Sequence, residues 1–309
     1  MPQGWREHPR SIAAERPALH FLYEQEGCQN ATPSNHAGFE HPLRTHRDFR
    51  VTPPTNLRNP VMRPRRRDRR ISPGYHLRMQ LDLSVPHYSV ALSSALPHGV
   101  LVAVRFPEEK VEVPEEVIER LHPDEREVAR GLNGFRQTTW VAGRLAAAKA
   151  IRGFGFPAAP LLAGRGGEPL YGGGLSLSIS HKGGLAVALA ARTNHGTVGV
   201  DLESPGRPRM GIEEKVLTES ERGILAELPE GRRWSELLTR FAMKEALYKA
   251  LYPHVNRYVD FSEAIATPDV NHPTSYELNL SGEEGPFSAE GRILWIGEYL
   301  LATANVRPQ

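Results

Sequence analysis

Thr197-Val-Gly-Val-Asp-Leu-Glu203 reads as a β-strand in which Val and Leu alternate with Gly, Asp and Glu. Alternate side chains of a strand share a face. Val198, Val200 and Leu202 are therefore expected to face a core, with Gly199, Asp201 and Glu203 on the other side. His195-Gly196 opens this strand, and 97 positions earlier His98-Gly99 opens the equally strand-like Val100–Phe106. Three more pairs follow in the same order. Leu121-His-Pro-Asp-Glu125-Arg126 is echoed by Leu217-Thr-Glu-Ser-Glu221-Arg222, and Gly143-Arg144 through Ile151 by Met243-Lys244 through Leu251. Gly184-Leu-Ala-Val-Ala-Leu-Ala190 resembles Glu298-Tyr-Leu-Leu-Ala-Thr-Ala304. Four ordered matches predict an α+β fold of two related α/β halves, 80–195 and 196–309.

Each half reads strand, helix, longer helix, then strands. Thr218 and Glu221 form a capping-box pair ahead of a helix. A long helix is expected near Arg232–Leu251, stopped by Pro253. Another is expected near Phe135–Arg152, ending at Gly153. Leu177-Ser-Ile-Ser-His181 alternates and turns through Gly183-Gly184 into Leu185–Ala191, the pattern of a β-hairpin. Tyr171-Gly-Gly-Gly174 reads as a loop.

Residues 1–75 differ. They hold 13 Arg, no Lys and 7 acidic residues, a net of +6, and 10 of the 26 prolines. Such a composition buries too little apolar surface to offset ordering entropy, so a disordered leader is expected, with Met79 as an alternative start. The Arg63–Arg70 cluster admits a second function class, a nucleic-acid or partner-binding arm. The segment lacks the interleaved aromatics of a single-strand platform, which argues against nucleic acid. The lone Cys28 excludes an internal disulfide framework and a thiolate zinc cluster. No run of about 18 apolar residues is present, so no membrane helix is expected. The N-terminus has no secretory apolar region, and a cytoplasmic location is expected.

Three segments carry chemistry. On the 197–203 strand, Asp201 and Glu203 share a face beside Gly199, and two carboxylates with space beside them suit a hard divalent cation such as Mg²⁺. A polar face on an edge strand is the ordinary alternative. In Phe241-Ala-Met-Lys-Glu-Ala-Leu-Tyr-Lys249, helical spacing aligns Leu238, Ala242, Glu245 and Lys249. The chain uses 32 Arg and only 6 Lys, yet Lys182, Lys244 and Lys249 all fall in these segments. A compact ammonium is what a phosphate clamp can use. Ser178-Ile-Ser-His-Lys-Gly-Gly184 places a serine, a histidine, a lysine and backbone amides at a strand end, where a phosphate could be held. No Gly-x-Ser-x-Gly elbow, Walker loop or dinucleotide fingerprint occurs.

Gly199-Val-Asp-Leu-Glu203, then Phe241-x-x-Lys-Glu-Ala-x-x-Lys249, with Ser-Ile-Ser-His181 upstream, resembles the 4′-phosphopantetheinyl transferases of the two-lobed class, and among them the enterobactin-synthase subgroup. The resemblance covers about 80–309. It implies a pseudo-twofold, monomeric enzyme with its site in the cleft between the halves. The implied reaction moves phosphopantetheine from coenzyme A to a serine of an apo acyl or peptidyl carrier protein, releasing 3′,5′-ADP, in siderophore or secondary-metabolite biosynthesis. Asp201, Glu203 and Glu245 are then the implied Mg²⁺ ligands. Lys249 is implied on the pyrophosphate and Lys244 near the phosphates. Ser180 and His181 are implied at the 3′-phosphate, and Arg136 and Arg144 at the nucleotide. Glu245 or a metal-bound hydroxide would take the serine proton. The family also carries a basic residue just before the Glu-Pro of Gly164-Arg-Gly-Gly-Glu-Pro169; here Gly166 and Gly167 stand there and Arg165 lies earlier. The tryptophan-proline that usually follows is Leu170-Tyr171.

Overall fold

The computed structural model describes residues 87–309 apart from 110, 158, 165, 166 and 283. Cys28, the Arg63–Arg70 cluster, Met79 and the Arg165-Gly166 pair lie outside the described residues. Strands β1 (Ser89–Leu96) and β2 (Gly99–Arg105) are followed by helices α1 (Glu115–Ile118), α2 (Pro123–Gly131) and α3 (Gly134–Gly153). The small hairpin β3 (Leu162–Ala163) and β4 (Pro169–Leu170) leads to β5 (Leu175–Lys182) and β6 (Leu185–Arg192). The antiparallel sheet runs β1-β2-β6-β5. β6 is buried on both faces, which fits its near-continuous apolar sequence. Ala186, Ala188 and Ala190 pack with Ala142, Ala146 and Ala150 of α3, small residues that let helix and sheet approach closely. Leu185, Val187 and Leu189 point the other way, into a separate cluster.

The same plan then repeats. β7 (Thr197–Glu203) is followed by α4 (Glu213–Val216), α5 (Glu219–Glu227) and α6 (Glu230–Val255). Strands β8 (Ala264–Thr267), β9 (Thr274–Leu278), β10 (Phe287–Ile296) and β11 (Tyr299–Pro308) complete a sheet of order β7-β11-β10-β9-β8. In both sheets the strand before the helices pairs with the last strand, and the last strand pairs with the one before it. The 121–126 and 217–222 segments begin two nine-residue helices, α2 and α5, each entered through a reciprocal capping box: His122 with Glu125, and Thr218 with Glu221. One expectation is corrected. Pro253 does not stop α6, which runs to Val255 and ends on Asn256 in the left-handed conformation (φ 51°, ψ 30°). The proline lies in the last turn, where its missing N–H removes a single helical bond.

Val198, Val200 and Leu202 of β7 face the first sheet, as the alternation predicts. They pack with Leu101, Leu185, Val187, Leu189, Ile296 and Leu301 into one core shared by both sheets. Each such Leu or Val contributes roughly 1.5–3 kcal/mol through burial. β5 and β7 are edge strands of different sheets, and side chains join them. The hydroxyl oxygens of Ser176, Ser178 and Ser180 accept the backbone N–H of Val198 (2.9 Å), Val200 (3.0 Å) and Leu202 (3.2 Å). Donors on an edge that would otherwise be buried unpaired are thereby satisfied.

Candidate active site

Gly199, Asp201 and Glu203 face α6. A Cβ on Gly199 would overlap the carbonyl oxygen of Ala246, so the space beside this glycine is filled by the helix backbone. That close seat brings Glu245 and Lys249, on either side of Ala246, against the carboxylates of β7. Asp201 is 1% exposed, Glu203 4% and Glu245 5%. Asp201 Oδ1 accepts from Ser180 Oγ (3.0 Å) and Lys249 Nζ (2.7 Å), while its Oδ2 is buried with no hydrogen-bond partner. Lys249 also donates to the Val200 carbonyl (3.0 Å). Lys182 Nζ lies 3.0 Å from Glu203 Oε2.

Burial and the neighbouring Asp201 push Glu203 up to about 7. Burial, Asp201 and Glu203 push Glu245 up to about 8, against the pull of Lys249. Glu203 and Glu245 held up by burial beside the charge of Asp201 mark a centre that a further positive charge would stabilise. The donors are all hard oxygens, and Asp201 Oδ2 is an acceptor without a partner; both suit a hard divalent cation. Among the described residues no three His, Cys, Asp or Glu side chains lie grouped as a metal cage. As they lie, the ammonium groups of Lys249 and Lys182 neutralise Asp201 and Glu203.

His181 sits on β5 with its ring edge-on to Phe135, at 6.3 Å between centroids. Burial first, then the charge of Lys249, lowers it to about 4, so the imidazole is neutral at pH 7. Arg136 is exposed in the first turn of α3.

Three expected phosphate or nucleotide groups are placed differently. Lys244 is buried, and its three hydrogens go to Glu221 Oε2 (2.6 Å), Val216 O (2.8 Å) and Phe261 O (2.9 Å). Adjacent helical residues point about 100° apart, so Glu245 turned toward β7 sends Lys244 toward α5. Arg144 is also buried, with Nε 3.6 Å from Glu125 Oε1 and its guanidinium over the Trp140 ring. The two pairs, Glu125 with Arg144 and Glu221 with Lys244, are the same device in the two halves. Ser180 spends its hydroxyl on Leu202 N and Asp201. Glu221, and the pairing of Lys182 with Glu203, were not expected. Glu221 was visible only as a capping residue, yet it also accepts from Ala266 N (2.9 Å) and is fully buried.

Lys244→Met therefore should act on stability. It leaves Glu221 buried with only Arg240 as counter-charge (3.3 Å), and stripping one partner from a buried pair is costly. We expect a loss of about 3–5 kcal/mol in urea unfolding. Native stability combined with weakened phosphate binding would return Lys244 to the site.

Residues 197–304 match the family model described as the 4′-phosphopantetheinyl transferase superfamily, and residues 125–191 match the 4′-phosphopantetheinyl transferase N-terminal domain. The chain is 32% identical over 218 residues to 4′-phosphopantetheinyl transferase Svp of Streptomyces mobaraensis, covering 66% of this chain and 78% of that protein. It is 30% identical over 167 residues to the transferase PptT of Mycobacterium tuberculosis, covering 53% and 68%. It is 33% identical over 118 residues to enterobactin synthase component D of Shigella flexneri, covering 37% and 54%.

Proposed function

This chain belongs to the 4′-phosphopantetheinyl transferase superfamily, and from that we propose that it moves phosphopantetheine from coenzyme A to the serine of an apo acyl or peptidyl carrier protein. The observation that carries the site assignment is the buried trio Asp201, Glu203 and Glu245, held by the Gly199 contact between β7 and α6. We assign the two halves to 80–195 and 196–309, with the chemistry at their junction.

Asp201, Glu203 and Glu245 would hold Mg²⁺, which when bound neutralises charge developing on the pyrophosphate. Lys249 is 27% exposed at its side chain, so its ammonium can serve Asp201 and an arriving pyrophosphate together. His181 binds the 3′-phosphate as a neutral N–H donor, and the added anion draws it toward protonation. Glu245, pushed up to about 8 by burial and by Asp201, receives the proton of the carrier serine. Arg136 meets the nucleotide from the solvent side of α3.

EDTA should stop transfer, and excess Mg²⁺ should restore it. The Mg²⁺ requirement should also depend on pH. Glu203 and Glu245 hold protons to about 7 and about 8, and the cation needs their ionised forms. Falling pH therefore raises the Mg²⁺ concentration for half-maximal transfer. A half-saturation point that stays flat from pH 8.5 to 6.5 would remove these carboxylates from the metal.

His181→Ala should weaken coenzyme A by roughly ten- to a hundredfold, the worth of a hydrogen bond to a charged group. Dephospho-coenzyme A should be affected little. Equal losses for both ligands in calorimetry would move His181 away from the 3′-phosphate.

A further inference from the structure

Ser176, Ser178 and Ser180 occupy one face of β5, and each hydroxyl oxygen accepts a backbone N–H of β7. Their protons set them apart. That of Ser180 goes to Asp201 Oδ1 at 3.0 Å. The same oxygen takes Lys249 Nζ at 2.7 Å, so two donors from different elements converge on one oxygen of a buried carboxylate. The other oxygen, Oδ2, is left buried without a partner. A carboxylate pinned through one oxygen by two donors has its plane fixed, and its second oxygen presented in one direction.

We infer that Ser180 is a positioning residue: it does not bind phosphate but orients Asp201 so that Oδ2 is the oxygen offered to a divalent cation. The inference rests on the functional reading above and assigns Ser180 a different task within it. Lys249 alone cannot do this, because its partly exposed ammonium, at the end of a long flexible stem, is shared among Asp201, the Val200 carbonyl and an arriving pyrophosphate. The Ser180 hydroxyl is held at the other end by Leu202 N, in the joint between the two sheets, and stays when substrate arrives. The geometry thus ties the direction of a metal ligand to the seam between the halves.

The test uses the full chain and Mn²⁺ as a spectroscopic probe in place of Mg²⁺. Free Mn²⁺ is titrated by electron paramagnetic resonance with coenzyme A present. Affinities for coenzyme A and dephospho-coenzyme A are measured separately by calorimetry in EDTA. Ser180→Ala should weaken Mn²⁺ about tenfold or more, as expected for a hydrogen bond to a charged group. The ratio of affinities for the two nucleotides should stay unchanged. Ser178→Ala and Ser176→Ala lose a joint acceptor and no carboxylate donor, so their Mn²⁺ affinity should stay near that of the wild type. Ser180→Thr keeps the hydroxyl on a residue suited to strands, and should keep tight Mn²⁺ binding even if the alanine variant does not fold. A collapsed nucleotide ratio with Mn²⁺ affinity intact overturns the inference in favour of direct phosphate binding. Equal Mn²⁺ losses in Ser178→Ala and Ser180→Ala overturn it in favour of a purely structural joint. Wild-type protein that binds neither Mn²⁺ nor coenzyme A overturns the functional reading itself.

Discussion

Asp201→Asn is expected to lower transfer by about a thousandfold or more while the chain keeps its fold, a loss on the scale seen when an aimed electrostatic group is removed from an active site. Asparagine has the volume of aspartate, so no cavity forms. Its carbonyl oxygen can still accept from Ser180 and Lys249, which hold Oδ1 in the native site. What changes is the other position. The buried oxygen without a partner becomes an NH₂ group, a donor aimed where a cation needs an acceptor. The trio also loses a charge. Circular dichroism and urea unfolding should report a native protein, and coenzyme A turnover should report an inactive one. Near-wild-type transfer at saturating Mg²⁺ would contradict the role given to Asp201.

Gly199→Val should remove stability and activity together. By local propensity the substitution suits a strand, since valine is among the best β-formers. The tertiary contact decides otherwise. Any Cβ at 199 meets the Ala246 carbonyl, and it also lies 2.9 Å from Ala250 N, so the obstacle is helix backbone, which cannot rotate away as a side chain can. α6 must lift from β7, and Glu245 and Lys249 lift with it. We expect a cost above about 3 kcal/mol, the upper end for overpacking. For a domain of this size that lowers Tm by roughly 6–12 °C. A stable and active Gly199→Val protein would show that β7 and α6 are not seated through this glycine.

Much of this was readable from residue order. The alternation in 197–203 told which side chains of β7 meet the other sheet, because a strand buried on both faces still separates them by parity. The matched segments pointed to two related halves, and Thr218 with Glu221 to a capping box; the strand order of each sheet and the His122–Glu125 box emerge only in the fold. The directions of side chains that depend on a third element were not readable. Lys244 belongs to the same nine-residue motif as Glu245 and Lys249, and only the seat of α6 on β7 decides that it turns to α5. Its pairing did leave a trace: Glu125 and Arg144 recur as Glu221 and Lys244 at nearly equal offsets, an acid and a base repeated together. Ser180 looked like a phosphate group because its neighbours did. Nothing local shows that Ser176, Ser178 and Ser180 face the bare edge of a strand from another sheet. Pro253 reads locally as a stop because a proline ring removes one helical hydrogen bond and crowds the carbonyl four residues back, yet α6 continues two residues beyond it.

Asp201, Glu203 and Glu245 together are proposed to carry phosphopantetheine transfer. The most direct measurement is the intact mass of an apo carrier protein incubated with coenzyme A, Mg²⁺ and either the wild-type chain or Asp201→Asn. The carrier is expected to gain the mass of one phosphopantetheine with the wild type, only when the acceptor serine is present, and to gain nothing with the Asn variant or EDTA-treated wild type. An unmodified carrier with the folded wild-type chain across a panel of acyl and peptidyl carriers, or full modification by the Asn variant, would contradict it.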